Sequence, residues 1–248
     1  MSASRVIIAG IGGVGGALAR RLVAKGVAVH LVARSAEKLA ALSAELGGAP
    51  FTVADAAAPE AFEAAIATAA AAGPLTGLVY AVGSIPLKPL KSTTAKDFAD
   101  AFALNTVSGA LALKAAAGAL GARGAARPGA ALFFSTVAAS VGFPSHAAIA
   151  AAKGGVEAFV RSAGAELAPA VRVNAIAPSL TATPLAARFT ASEPTRKALG
   201  DAHPLPRLGT ADELAALADF LIDADASGWV SGQVWAVDGG RSTLRPKN

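Results

Sequence analysis

Residues 5–15 read Arg-Val-Ile-Ile-Ala-Gly-Ile-Gly-Gly-Val-Gly, a β-branched run that leads directly into a glycine-rich loop. Its glycines have the spacing G-x-G-x-x-G, and the Ala-rich residues 17–25 that follow favour a helix. Glycines at this spacing let the backbone approach a pyrophosphate, while the N-terminus of the helix offers free N–H groups to it. The alternative is a tight turn that only packs the helix on the strand, but the strand–loop–helix context favours a phosphate site. The candidate phosphate-binding residues are Gly10, Gly12, Gly13, Val14 and Gly15.

The same rhythm of apolar strand and Ala-rich helix continues over the rest of the chain. Unbroken apolar runs such as Val-Ile-Ile and Ala-Leu-Phe-Phe are typical of strands covered on both faces. Strands that alternate with helices predict an α/β fold, a doubly wound parallel sheet of seven strands with helices on both faces. Ligands are then expected beyond the carboxyl ends of the strands. The predicted strands are residues 5–8, 27–32, 51–53, 78–82, 131–135, 171–176 and 233–237.

Composition narrows the class of protein. No linker or charge block interrupts the 248 residues, so we predict one domain over 1–248. The chain has no cysteine and its three histidines are scattered, which argues against disulfides, cysteine nucleophiles and metal sites. The net charge of +5 comes from dispersed Lys and Arg with few aromatic residues, which argues against nucleic-acid binding. No stretch resembles a transmembrane helix or a signal peptide, so we expect no membrane association and a cytoplasmic location.

The second predicted strand ends in Ala33-Arg34, where a site selective for NAD(H) would carry an acidic residue for the adenosine 2′-hydroxyl. A neutral residue followed by Arg34 instead suits a 2′-phosphate, so the preferred cofactor is NADP(H) rather than NAD(H). A solvated arginine at a strand end is the alternative. Asp55, after the third strand, either accepts a hydrogen bond from the adenine amino group or caps the next helix.

Three stretches in the second half of the chain carry the most specific pattern. Residues 134–142 read Phe-Ser-Thr-Val-Ala-Ala-Ser-Val-Gly, residues 146–154 read His-Ala-Ala-Ile-Ala-Ala-Ala-Lys-Gly, and residues 172–178 read Arg-Val-Asn-Ala-Ile-Ala-Pro. With the tail Trp-Val-Ser-Gly-Gln-Val-Trp-Ala-Val-Asp-Gly-Gly at 229–240, the chain resembles the short-chain dehydrogenase/reductase family over essentially its whole length. The resemblance implies a single Rossmann domain, hydride transfer to or from a nicotinamide, and a homo-oligomer, usually a tetramer or dimer.

The resemblance also implies roles for individual residues. Asn105 matches the helix asparagine that holds a proton-relay water, and Thr136 matches the hydroxyl that orients the substrate oxygen. Lys153 matches the lysine that binds the nicotinamide ribose and activates a catalytic tyrosine. Further cofactor contacts fall on the loop after the fourth strand and on the segment after the sixth, at Val82, Gly83, Pro178, Thr181 and Thr183.

The sequence departs from the family at the position of that tyrosine, four residues before Lys153, which is Ile149. An isoleucine cannot give or take a proton, and a positioned general acid contributes about 10²–10⁴-fold to the rate. Our candidate for a replacement proton donor is His146, seven residues before Lys153 and on the same helical face. The alternative role for His146 is capping or surface structure at the start of the helix. Tyr80, the only tyrosine of the chain, is expected to pack in the core.

Three functions fit these residues. The first is an NADP(H)-dependent oxidoreductase of the short-chain type with another proton source, and the second transfers hydride to an acceptor that needs no protein acid. The third, from a different class, is a catalytically inert nucleotide-binding or scaffolding homologue that keeps the fold. A substrate is expected under a lid at about residues 180–206, where Arg188, Arg196 and Lys197 either meet an acidic substrate or are simply solvated.

Overall fold

The computed structural model describes residues 5–122, 124 and 126–245 of the chain. Helices connect most of its consecutive strands, as the alternating sequence predicts. The strands are β1 (Arg5–Ala9), β2 (Ala28–Ala33), β3 (Phe51–Val53), β4 (Gly77–Tyr80), β5 (Gly129–Phe134), β6 (Val171–Pro178), β7 (Thr181–Ala182), β8 (Gly209–Thr210) and β9 (Val234–Val237). The α-helices are α1 (Gly13–Ala24), α2 (Ala36–Glu45), α3 (Pro59–Ala71), α4 (Ala95–Phe102), α5 (Ser108–Gly121), α6 (Ala147–Leu167), α7 (Glu193–Asp201), α8 (Ala211–Ile222) and α9 (Ala224–Ser227).

Seven strands form one sheet in the order β3-β2-β1-β4-β5-β6-β9, and every neighbouring pair is parallel. The chain winds outward from β1 in one direction and then from β4 in the other, so the strand order reverses between these two strands. A doubly wound sheet binds ligands in the crevice at such a reversal. The predicted fold class is confirmed, and each predicted strand agrees with its observed bounds within two residues.

The first helix starts earlier than predicted. It begins at Gly13 rather than Ala17 because the glycine loop itself forms the first turn, with the Gly16 amide donating to the Gly12 carbonyl at 2.8 Å. The predicted start was therefore wrong by about one turn, and the loop proper is confined to Gly10, Ile11 and Gly12.

Two hydrophobic cores lie on the two faces of the sheet. Successive residues of a strand point to opposite faces. Ile7 and Leu78 accordingly pack with residues of α3, α5 and α6 on one face, while their neighbours Ile8 and Val79 pack with residues of α1, α2 and α8 on the other. Because both faces are covered, the carboxyl edge of the sheet is left as the place for a site.

A nearly buried carboxylate fixes α1 against α8. Asp219, 5% exposed, accepts hydrogen bonds from Arg21 Nε at 2.7 Å and from Lys25 Nζ at 2.5 Å. Arg21 lies in the last turn of α1 and Lys25 is its C-cap residue, so the ion pairs hold the end of that helix opposite the glycine loop.

The segment between α4 and α5 is a π-helical turn, Ala103–Val107. Tyr80 Oη donates to the carbonyl of Leu104 in this turn at 2.6 Å, and the Tyr80 ring packs edge-on against Phe62. Burial raises the pKa of the Tyr80 hydroxyl far above its usual range, so this group stays protonated in the core. The expectation that Tyr80 packs in the core is confirmed.

One helical segment, Ala95–Gly121, is long and apolar enough to cross a membrane by length and composition alone. Of its most apolar window, 44% is buried inside the domain, where Ala112, Ala116 and Leu120 belong to the same core cluster as residues of α3. A core helix of a folded domain also meets these criteria of length and composition, so they do not by themselves indicate a membrane span.

Candidate active site

A cleft of about 1190 Å³ opens at the carboxyl ends of the central strands. It is lined by the glycine loop, the end of β2, the first turns of α6 and the segment after β6. The structure brings together in it every residue that the sequence analysis assigned to cofactor or catalysis except Asn105: Gly10, Gly12, Gly13, Val14, Gly15, Arg34, Asp55, Val82, Gly83, Thr136, His146, Lys153, Pro178, Thr181 and Thr183.

The glycine loop is closed by unusually close backbone contacts. A Cβ on Gly15 would lie 1.8 Å from the Gly10 carbonyl oxygen, which no side chain tolerates. Gly10 has φ +89, a conformation that favours glycine, and a Cβ there would lie 2.7 Å from the backbone of Ala81. Gly12 differs, because a Cβ there would meet nothing within 4 Å. The space in front of Gly12 and the N-terminus of α1 is therefore open, as a phosphate site requires.

Two polar groups line the end of the cleft that follows β2 and β3. Arg34 is exposed at the cleft rim just after β2 and makes no ion pair with a carboxylate of the described residues. Asp55 uses one oxygen to accept the Ala57 amide at 2.9 Å, so it organises the turn before α3. The expected alternative, that Asp55 caps the next helix, is wrong, because the N-cap residue of α3 is Ala58.

Helix α6 presents His146, Ile149 and Lys153 to the cleft from one face. The Lys153 ammonium is buried and donates to the Phe134 carbonyl at 2.6 Å. Burial without a carboxylate partner lowers its pKa to about 8. Ile149 is 4% exposed, so an apolar side chain fills the wall between His146 and Lys153.

His146 is oriented by its own loop. Its Nδ1 lies 2.7 Å from the Pro144 carbonyl, and since a carbonyl only accepts, Nδ1 carries the proton and Nε2 remains available. The ring lies 5.5 Å from that of Phe143, measured between centroids. The backbone of His146 caps α6, but its side chain makes no capping hydrogen bond. The side chain therefore does not fill the capping role that was the alternative.

Asn105 lies in the π-helical turn behind the cleft wall and is 1% exposed. Its Nδ2 donates to Ser84 Oγ at 3.1 Å and to the Ala101 carbonyl at 2.9 Å, while its Oδ1 accepts the Ser84 amide at 3.3 Å. A Cβ on Gly83 would lie 3.2 Å from Asn105 Oδ1 and 3.5 Å from Lys153 Nζ. Asn105 therefore reaches the cleft through Ser84 and Gly83.

Thr136 and Ser135 follow β5 into the cleft with different partners. Thr136 Oγ1 accepts the Ala138 amide at 3.3 Å and lies 3.4 Å from the Pro178 carbonyl, so its oxygen is held near the segment after β6. Ser135 Oγ instead donates to Glu157 Oε1 at 2.7 Å. Of the two hydroxyls, Thr136 is the one with the weaker protein contacts.

Sequence reasoning missed several cleft residues. Ser84, Phe143 and Arg241 all line the cleft, yet no motif marks them, because each is brought there by long-range folding. Of the three lid cations named from the sequence, only Arg188 lines the cleft. Arg196 and Lys197 are exposed on α7 and pair with carboxylates of the same helix, Glu193 and Asp201.

Comparisons with known proteins identify the family. A profile described as Enoyl-(Acyl carrier protein) reductase matches residues 8–242. Inactive 2-(S)-hydroxypropyl-CoM dehydrogenase 2 of Xanthobacter autotrophicus is 36% identical over 234 residues, 92% of this chain and 100% of that protein. A short-chain type dehydrogenase/reductase from Mycobacterium ulcerans has a TM-score of 0.88 at 29% identity, over 100% of this chain and 92% of that one. An actinorhodin polyketide ketoreductase solved with NADPH shares the fold, with a TM-score of 0.87 at 24% identity over 98% of each chain. The chain belongs to the short-chain dehydrogenase/reductase family of oxidoreductases.

Substitution by alanine should affect stability at Gly15 but cofactor binding at Gly12. Gly15→Ala should lower the free energy of unfolding by about 3 kcal/mol or more, because its methyl group overlaps the Gly10 carbonyl. Gly12→Ala should change it by less than about 1 kcal/mol but weaken NADPH binding at least tenfold, because its methyl group enters the open phosphate space. Urea denaturation and a fluorescence titration of NADPH measure the two effects. Unchanged NADPH affinity in Gly12→Ala would contradict a phosphate at this loop.

Lys153 predicts a pH dependence of stability. Its pKa is about 8 in the folded protein against 10.5 for the free side chain, so between these values the unfolded chain holds a proton that the native protein has lost. This group therefore makes stability rise with pH across that window, by up to about 3 kcal/mol. Urea denaturation at pH 7 and pH 10 measures this dependence. The free energy of unfolding of the wild type, taken relative to that of Lys153→Met, should be higher at pH 10 than at pH 7 by roughly 2–3 kcal/mol. The exposed Lys91→Met is the control, and a pH-independent difference for Lys153→Met would contradict the prediction.

Proposed function

We propose that this protein is an NADP(H)-dependent oxidoreductase that transfers hydride between the nicotinamide and a small organic substrate, with Ile149 in place of the family tyrosine. The observation that carries the proposal is the buried Lys153 ammonium. It lies in the cleft with a single acceptor among the described residues, the Phe134 carbonyl, although an ammonium has three donors. Its remaining donors suit the two hydroxyls of a ribose.

The residues present fit a dinucleotide. The glycine loop excludes a side chain at Gly15 and leaves open space at Gly12, which gives a phosphate access to the first amides of α1. At the far end of the cleft, the guanidinium of Arg34 can form two parallel hydrogen bonds to a 2′-phosphate. A carboxylate at this position would repel that phosphate, and Ala33 and Ser35 beside Arg34 carry none. This supports NADP(H) over NAD(H).

When bound, the nicotinamide supplies or accepts the hydride. Lys153 binds the neighbouring ribose, and Thr136 Oγ1, just after β5, orients the substrate oxygen. His146 donates a proton from Nε2 to that oxygen as an imidazolium, because the single proton of the neutral ring is held on Nδ1 by the Pro144 carbonyl. Ile149 lies between His146 and Lys153 and keeps water from the reacting carbon. Asn105 acts through Ser84 and Gly83, which it positions by hydrogen bonding and contact.

A second function is favoured by one observation, the apolar Ile149 at the position of the acid. In this alternative the chain is an inert homologue that binds the nucleotide or serves as a scaffold. The name of the Xanthobacter autotrophicus relative, which describes that protein as inactive, is consistent with a homologue of this kind.

We also propose that the protein is a homo-oligomer, a tetramer or dimer. Exposed aromatic side chains support this at two surfaces, Phe98 and Phe102 on α4 and Trp229 and Trp235 around β9. Large exposed apolar groups of this kind mark association surfaces when they cluster.

The choice of cofactor is tested at Arg34. Fluorescence titration should give a dissociation constant for NADPH that rises about 10–100-fold in Arg34→Ala, with NADH changed less than about threefold, because the charge-assisted hydrogen bonds to the 2′-phosphate are lost. Arg127→Ala, which removes an exposed arginine paired with Asp225, is the matched control. Failure of the wild type to bind either nucleotide would overturn the oxidoreductase proposal. Equal loss for both nucleotides would overturn the role of Arg34.

The proton donor is tested by comparing two backgrounds. NADPH oxidation with ethyl acetoacetate should be slowed about 10²-fold by His146→Gln in the wild type, because a general acid is lost. In Ile149→Tyr the same substitution should have less than about a threefold effect, because the tyrosine then supplies the proton. An unchanged rate for His146→Gln in the wild type excludes His146 as donor. A wild type and an Ile149→Tyr variant that both fail to oxidise NADPH favour the inert homologue.

A further inference from the structure

Besides Arg34, two arginines of the cleft have no carboxylate partner among the described residues. Arg188 belongs to the lid, and Arg241 belongs to the tail after β9. Three cations in or next to the lid are different, because Arg196, Lys197 and Arg207 each pair with a nearby carboxylate. The arginines without a carboxylate partner therefore line the cleft, whereas the paired cations lie on the outer surface.

Each of these arginines is fixed in orientation by uncharged groups. The Arg241 guanidinium carbon lies 5.1 Å from the centroid of the Phe143 ring, and its Nη1 donates to the Ala202 carbonyl at 2.6 Å. The Arg188 guanidinium carbon lies 4.5 Å from the centroid of the Phe189 ring, and its Nη2 donates to the Ile85 carbonyl. A guanidinium has five N–H donors, so both keep free donors in a fixed geometry. A preorganised arginine of this kind suits an anion with two or three oxygens.

Contacts between loops bring both arginines to one mouth of the cleft. The Lys88 amide donates to the Ser145 carbonyl at 2.9 Å, which joins the segment carrying Ile85 to the loop that carries Phe143 and His146. Arg188 holds the first segment and Arg241 stacks on the second. The two cations therefore border the part of the cleft that contains His146 and Ile149.

The charge of the cleft supports the same conclusion. Among the described residues that line it, the only acid is Asp55, at the adenosine end. The opposite end holds Lys153, Arg188 and Arg241 with no carboxylate. A field of one sign in a concave, largely apolar site favours a ligand of the opposite charge.

We propose that the substrate carries an anionic group, a carboxylate, sulfonate or phosphate, which Arg241 and Arg188 bind at the mouth of the cleft. The rest of the substrate then extends over Ile149 toward Thr136 and His146. This inference rests on the proposed function, since it names the substrate class of the same site.

The test compares a charged probe with its neutral analogue. Butane-1-sulfonate and butyl methyl sulfone, in which a methyl group replaces one sulfonate oxygen, are titrated calorimetrically into the protein saturated with NADP⁺. The sulfonate should bind at least tenfold more tightly than the sulfone, and added salt should weaken only the sulfonate. Arg241→Gln should weaken sulfonate binding at least tenfold, Arg241→Lys less, and Arg188→Gln measurably. Arg196→Gln, which removes a paired arginine of the outer surface, should have no effect.

The outcomes separate this inference from the proposed function. Equal binding of sulfonate and sulfone, or sulfonate binding that is insensitive to both Arg241→Gln and Arg188→Gln, overturns the anion site. A loss of NADPH affinity in Arg241→Gln as large as the loss of sulfonate affinity also overturns it, because the arginine would then serve the cofactor. If the wild type binds no NADPH, the proposed function fails by itself, and titration of the sulfonate into the cofactor-free protein still decides whether the anion site exists.

Discussion

The close approach of two backbone segments in the glycine loop is the constraint on which the site depends. Because the Gly10 carbonyl lies against the Cα of Gly15, the chain can leave β1 and enter α1 within three residues. The N-terminus of α1 then faces the point where the strand order reverses, and the open space at Gly12 remains between them. Asp219 holds the other end of α1, so the helix that we propose binds phosphate is fixed at both ends.

Much of this architecture could be predicted from the sequence because its signals are local. Unbroken apolar runs between Ala-rich stretches predict the seven strands, and helical spacing predicts that His146, Ile149 and Lys153 share a face. The start of α1 was missed, since glycines normally disfavour a helix and only the close backbone contacts stabilise one here. Arg241 could not have been found, because its contact with Phe143 joins positions far apart in the chain. The neutralisation of Arg196 and Lys197 was readable in principle, since their partners are three and four residues away on one helix.

The two ends of the cleft offer different chemical groups to a ligand. At the end near the glycine loop and Arg34 the protein offers backbone amides and one exposed arginine, which suit phosphates and depend little on neighbouring side chains. At the substrate end it offers an apolar wall at Ile149, an imidazole fixed by the Pro144 carbonyl and two arginines stacked on aromatic rings. The first arrangement follows from the fold, whereas the second follows from a few side chains that the fold does not require. Differences in reaction and substrate within such a scaffold arise at this second end.

The buried Lys153 ammonium also has a cost in stability. An ammonium buried here without a carboxylate partner opposes folding. Its replacement by an uncharged residue of similar size would therefore raise the free energy of unfolding. Stability therefore does not explain an ammonium at this position beside the cleft. Ile149 in the same wall is apolar, so its burial has no comparable cost in stability.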